Sequence, residues 1–248
     1  MEKDQKISLL EWHLEAGAYS LIDEKPQDLT LSDLTSQNIA QNQQDEKNTT
    51  NATKAQNTKQ VIENCNNLSD LKNLISRIET FNIKKTAKNM VFGSGNENGD
   101  IMVIGEAPGS EEDDLGMPFV GAAGKLLDKM LHSIEISRSE VYVTNVLPWR
   151  PPANRKPTPS EIEVFLPYLL KHIDLIDPKI VILLGGTAAS AILNLEEGIT
   201  KLRGKWHKFN KIDVMPMYHP AYLLRQPSQK KQAWADLLEI KNKLINLI

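Results

Sequence analysis

A three-layer α/β fold with a central four-stranded, mostly parallel sheet follows from three features of this sequence. Four short runs, Ile101 to Ile104, Val141 to Asn145, Lys179 to Leu184 and Asp213 to Met217, read as strands, the first as one buried on both faces and the third as buried too. Each leads into a stretch rich in Gly, Pro or charged residues. Segments with apolar residues at helical spacing separate the runs, and strands alternating with helices imply a parallel sheet with helices on both sides.

Taken in order, residues 1–22 form one expected unit, an N-terminal helix. Ser8 to Ser20 places Leu9, Leu10, Trp12, Leu14 and Ala18 at apolar positions. Residues 23–60 change character, being rich in Asn, Gln, Thr and Lys and nearly free of large apolar side chains. Such a stretch cannot bury enough surface to offset its ordering entropy and is expected to be a disordered linker. The third unit, residues 61–248, holds the sheet. Leu68 to Ile78 has a helical face, and Gly121 to Leu131 another, with Leu126, Leu127, Met130 and Leu131 on it. Pro157, Pro159 and Ser160 open a helix running to about Leu175, since Pro is tolerated in a first turn and Ser can cap. Thr187 is expected to cap a short helix ending near Leu193. Lys230 to Leu247 closes the chain with Trp234, Leu237, Leu238, Ile240, Leu244 and Ile245 at core spacing.

Composition narrows the function classes. No apolar run approaches the ~20 residues of a membrane span, and the first residues lack a signal-peptide core. One cysteine, Cys65, excludes an intrachain disulfide and any all-cysteine metal site. The expected location is cytoplasmic. The formal net charge is −3, yet Lys201 to Lys231 carries eight Lys or Arg against one acid, Asp213. Arg150, Arg155 and Lys156 form a second basic patch, so a near-neutral total conceals basic surface.

The most informative stretch is Ile101 to Leu131. Its first strand ends at Gly105, and a loop of about fifteen residues follows, longer than a connector needs. That loop gathers Glu106, Glu111, Glu112, Asp113 and Asp114 around one aromatic, Phe119. Ligands in open α/β sheets bind beyond the carboxyl ends of the strands. Polar loops after the first, second and fourth strands supply Glu106, Glu112 and Phe119, then Asn145, then His219. The set suits a flat heterocycle: Phe119 stacks on its face, Asn145 makes two hydrogen bonds along one edge, and His219 donates to a ring oxygen gaining negative charge. Two phosphate-loop patterns fail. Gly121 to Lys125 is followed by Leu126 rather than Ser or Thr, and Gly105 to Gly109 lacks a third glycine. The five histidines have no ligand-like spacing.

Three motifs, GEAPGSEEDDLGMPFVGAAGKLLD, NVLPWRPPANRKPTPSE and HPAYLLR, together resemble the uracil-DNA glycosylase superfamily, in particular family 4, the branch that usually carries an iron–sulfur cluster. The likeness covers residues 80 to 240 in order and spacing. It implies a DNA N-glycosylase that flips uracil from DNA and hydrolyses the N-glycosidic bond, starting base-excision repair. Phe119 would stack on the flipped base, Asn145 would read its O4 and N3 edge, and Ala107 would border it. His219 would stabilise the uracil anion. Glu106 and Glu112 correspond to pocket carboxylates that position water and offset charge on the sugar. Leu223, Leu224 and Arg225 fall in the segment that enters the duplex. Arg150, Asn154 and Arg155 belong to a loop expected to contact phosphates.

The family's four cluster cysteines align with Ile78, Phe81, Trp149 and Phe165, none of which is a thiolate ligand. The expectation is therefore a monomeric, cofactor-free enzyme with a hydrophobic plug at the cluster's place. Its expected partners are uracil-containing DNA and, through the N-terminal helix, a repair or replication protein. The missing cysteines motivate an alternative, a non-catalytic DNA-binding or partner-interaction module retaining the fold. An enzyme acting on free nucleotides is a third reading, for which the Leu223 to Arg225 segment would have no purpose.

Overall fold

The computed structural model describes residues 58–79 and 82–245. The expected N-terminal helix and nearly all of the linker lie outside these residues, as does Phe81. Residues 58–60, assigned above to the linker, instead begin a helical turn over 58–63.

Six strands form one sheet: β1 Ser94–Gly95, β2 Ile101–Gly105, β3 Val141–Asn145, β4 Ile180–Leu184, β5 His207–Phe209 and β6 Ile212–Met217, in the order β1-β3-β2-β4-β6-β5. The four expected strands are its parallel centre, with Ile101 opposite Val141 and Ile180, and Ile180 opposite Asp213. The α/β class holds, and the four-stranded count is corrected. β1 pairs antiparallel with β3 and β5 with β6, adding a short strand at each edge. At two and three residues, both are too short to show a period in sequence.

Every residue of the four parallel strands is buried, and alternate residues serve opposite layers. Met102, Ile104, Tyr142, Val181, Leu183 and Val214 pack with helices α1 (Leu68–Ser76) and α5 (Pro159–Ile176). Val103, Val143, Ile182, Leu184, Met215 and Met217 pack with α4 (Ala122–His132) and α9 (Lys230–Ile245). Continuous apolar runs are what a sheet covered on both faces requires.

Between these lie α2 (Ile83–Thr86), α3 (Ser110–Leu115), α6 (Gly186–Leu193), α7 (Ile199–Leu202) and α8 (Pro220–Arg225). The helix α3 corrects the expectation of an irregular acidic loop after β2. α5 is capped by Thr158 rather than Ser160: its hydroxyl accepts the Glu161 N–H at 3.2 Å while Glu161 accepts the Thr158 N–H at 2.8 Å, a reciprocal capping box. No helix among the described residues is long and apolar enough to cross a membrane.

Candidate active site

Pairing of β2 with β3 brings the first two polar groups together. Gly105 lies opposite Asn145, and the ladder continues beyond the strands as Val146 donates to Gly105 O and Leu147 to Glu106 O. Glu106 and Asn145 therefore leave adjacent strand ends. A Cβ at Gly105 would fall 2.4 Å from Asn145 Oδ1 and 2.6 Å from the Phe119 ring, so only glycine lets both side chains close over this strand end. Asn145 is buried, and its Oδ1 has no hydrogen-bond partner among the described residues. An unpaired buried acceptor is costly unless something supplies a donor.

Phe119 is fixed from several sides. Its backbone is left-handed, with φ 55, a conformation that a bulky side chain rarely adopts. The carboxylate of Glu112, on α3, accepts the N–H groups of Val120 at 3.1 Å and Gly121 at 3.0 Å through Oε1, and that of Gly109 at 3.1 Å through Oε2. Arg138 donates to the Pro118 carbonyl at 3.1 Å. Gly124 allows α4 to approach, since a Cβ there would collide with the Phe119 carbonyl. Held in this way, the Phe119 ring lies 5.7 Å from the His219 ring, tilted by 32°.

His219 follows β6 and caps α8: its Nδ1 accepts the Ala221 N–H at 3.1 Å. An accepting Nδ1 places the proton of the neutral ring on Nε2, which is then the donor the residue offers. Burial, reinforced by the Arg225 charge and opposed by Glu112, lowers its pKa from 6.5 to about 4. The ring is therefore a neutral donor at physiological pH.

These side chains surround a cleft of roughly 460 Å³, within the range of small-molecule sites. Of the residues singled out in the sequence, Glu106, Ala107, Glu112, Phe119, Asn145, Asn154, Arg155, His219 and Arg225 line it. The rest do not. Leu223 is 1% exposed and packs in the core with α4 and α9, so it cannot enter a duplex; this corrects its assignment to the DNA-contacting segment. Its neighbour Leu224 is 44% exposed. Arg150 lies outside the lining and donates to Asn154 Oδ1 at 2.7 Å.

Several charges expected at a DNA surface serve the fold. Arg155 grips both oxygens of buried Glu161, at 2.8 and 2.6 Å. Within the basic run, Arg203 pairs with buried Asp236, Lys208 with Asp213 at 2.9 Å, and Lys211 with Asp177 at 2.9 Å. The acidic cluster also divides. Asp113 is buried and accepts the Lys88 and Asn89 N–H groups, while Asp114 meets Lys88 at 2.6 Å.

Three contributors were not foreseen. Lys156 and Tyr222 line the cleft; only their positions beside Arg155 and within HPAYLLR hinted at it. Thr187 donates its hydroxyl to Glu106 Oε2, whereas its expected capping role falls to Gly185. A hydrogen bond across 81 positions leaves no local signal.

The positions aligned with cluster ligands offer no metal donor. Trp149 and Phe165 are buried with ring centroids 5.7 Å apart, and Ile78 packs against the same core. Lys84 Nζ stands 5.8 Å from the Trp149 ring centroid. Cys65, the one cysteine in the sequence, is buried with its Sγ 3.7 Å from Val61 O. A cysteine-ligated cluster does not fit this donor set.

The family described as the uracil DNA glycosylase superfamily matches residues 92–238. A type-4 uracil-DNA glycosylase of Archaeoglobus fulgidus is 42% identical over 183 residues, 70% of this chain and 91% of the relative. One from Saccharolobus solfataricus is 41% identical over 187 residues, 72% and 87% of the two chains. One from Sulfurisphaera tokodaii is 44% identical over 162 residues, 62% and 74%. With the family match spanning the whole sheet and all of the cleft-lining residues, the chain belongs to the uracil DNA glycosylase superfamily.

Proposed function

We propose that this protein is a uracil-DNA glycosylase that excises uracil from DNA by hydrolysing the N-glycosidic bond, without an iron–sulfur cluster. The observation that carries the assignment is the unpaired, buried Oδ1 of Asn145 between Phe119 and Glu106. Uracil satisfies it. N3–H donates to the amide oxygen and O4 accepts from the amide nitrogen, while cytosine presents an acceptor and an amino donor at those positions. Phe119 stacks on the extruded base.

As the glycosidic bond breaks, the electron pair moves into the ring and the sugar gains oxocarbenium character. The Nε2–H of His219 donates to the oxygen that becomes negative, and a neutral imidazole does so without surrendering its proton. The Glu106 carboxylate orients the water that attacks the sugar carbon and offsets the positive charge there. Glu112, whose oxygens hold three main-chain N–H groups, is a positioning residue for Phe119 rather than a second acid or base. The cations free to meet phosphate at the cleft are Lys156 and Arg225. Leu224, 44% exposed and next to the cleft-lining Arg225, is the apolar side chain available to act as a wedge in the duplex.

Trp149, Phe165 and Ile78 supply by packing the support that a cluster gives in the iron–sulfur branch, and no step of excision passes through a metal. The test is incubation with a labelled duplex holding one U·G pair in EDTA, followed by alkali, with Asn145→Ala as control. Strand cleavage at uracil that the control lacks is expected. Retained DNA binding without cleavage would leave the binding-module alternative in its place. Iron analysis of the purified protein is expected to find none; one cluster equivalent would overturn the cluster-free part alone.

A further inference from the structure

We infer that Thr187 is a positioning residue for base excision, holding the Glu106 carboxylate in the orientation that presents its other oxygen to the attacking water. The inference rests on the glycosylase reading above. Glu106 follows the last residue of β2, and its side chain would otherwise retain rotamer freedom that must be lost on reaching the transition state. An ionised carboxylate only accepts and a threonine hydroxyl has one proton to give, so the direction of this bond is fixed: Thr187 Oγ1 donates to Glu106 Oε2. That leaves Oε1 for water.

The donor stands on a rigid base. Ile104 of β2 is opposite Leu183 of β4, so the turn after β4 comes up beside the turn that carries Glu106. Thr187 is in the first turn of α6, and its branched Cβ limits the hydroxyl to few χ1 positions. The same turn also passes close to His219. Gly185 has φ +93, and a Cβ on it would lie 3.3 Å from His219 Cβ. One turn therefore bonds to Glu106 and runs close beside His219, although it lies outside all three motifs that carry the resemblance.

The test is single-turnover excision from a uracil-containing duplex with enzyme in excess, for wild type, Thr187→Val, Thr187→Ala and Thr187→Ser, with thermal melts alongside. Thr187→Val keeps the shape and removes the donor; its maximal rate should fall about 10- to 100-fold, as expected for a misplaced reacting group. The half-saturating enzyme concentration should stay within about twofold, because the bond acts in the transition state rather than in DNA binding. Thr187→Ser should restore the rate to within about threefold, since it restores the donor. In a Glu106→Gln background Thr187→Val should slow the reaction no further, because the two residues act as one unit. An active wild type with Thr187→Val and Thr187→Ala at full rate would overturn the inference and leave the glycosylase assignment standing. A correctly folded but inactive wild type would overturn both.

Discussion

The Glu112 carboxylate reaches across nine positions to accept the Gly121 N–H at 3.0 Å, closing the chain from α3 to α4 into a ring that includes Phe119. One side chain on a six-residue helix thus sets the backbone on which the base-stacking ring is mounted. Hydrogen bonds from main-chain N–H groups to a carboxylate contribute more than neutral ones. Replacing Glu112 by Gln puts an amide donor against one of these N–H groups, and should reduce stability by about 1–3 kcal/mol. For a domain of this size that corresponds to a drop of roughly 2–12 °C in Tm, readable by calorimetry. Excision should fall with it, through a weaker hold on uracil.

The lowered pKa of His219 sets the acid behaviour. In the unfolded chain this imidazole protonates near 6.5, whereas in the folded protein it stays neutral down to about 4. Its contribution to stability is thus complete above 6.5 and declines as pH falls from 6.5 toward 4, where only the unfolded state takes up the proton. Excision rates should show no loss of a histidine near pH 6.5. NMR titration of the His219 ring should give a midpoint well below that of free histidine, and a midpoint at 6.5 would refute the neutral-donor account.

The cations divide into two groups that salt dependence separates. Lys156→Gln and Arg225→Gln should each reduce the slope of log Kd against log salt by about 0.9, the effect of losing one phosphate contact. Arg155→Gln should instead reduce stability, because it strands Glu161, whose carboxyl the Arg155 hydrogen bonds hold down at about 2. The stabilisation is present above the unfolded value of 4.5 and is lost as pH falls toward 2, so wild type and Arg155→Gln should converge in Tm in strong acid.

Adjacent leucines should behave oppositely. Leu223→Ala removes a core side chain and should cost about 2–5 kcal/mol, visible as a large fall in Tm. Leu224→Ala is a surface change and should leave Tm within about 2 °C. It should slow excision from duplex DNA while sparing single-stranded substrate, where no base stack needs to be opened. Equal rates for Leu224→Ala and wild type on duplex would remove the wedge role.

The parallel centre of the sheet was legible because its strands are buried on both faces and so read as continuous apolar runs. Cleft residues at strand ends, Glu106, Asn145 and His219, were legible for a related reason, since polar residues directly after such runs stand out. What escaped notice depends on distant contacts. α3 carries SEEDDL, an acidic string that looks like a solvated turn until Glu112 finds its main-chain partners. Adjacency in HPAYLLR could not say which leucine faces inward, because neighbouring residues on a helix point about 100° apart. The excess of basic residues between Lys201 and Lys231 gave no hint that Asp236, Asp213 and Asp177 would neutralise part of it.

The short edge strands bear on how the molecule meets copies of itself. β1 presents a ladder of two residues beyond β3, and β5 one of three beyond β6. Past the end of β5, Pro216 occupies the outward-facing position of β6, where its carbonyl accepts the Gly204 N–H and it has no N–H of its own to offer. A foreign strand would therefore find no run of unpaired donors and acceptors long enough to extend the sheet. A protein whose substrate is a long polymer can crowd on it with neighbours, and this sheet is built so that crowding does not become fibre growth.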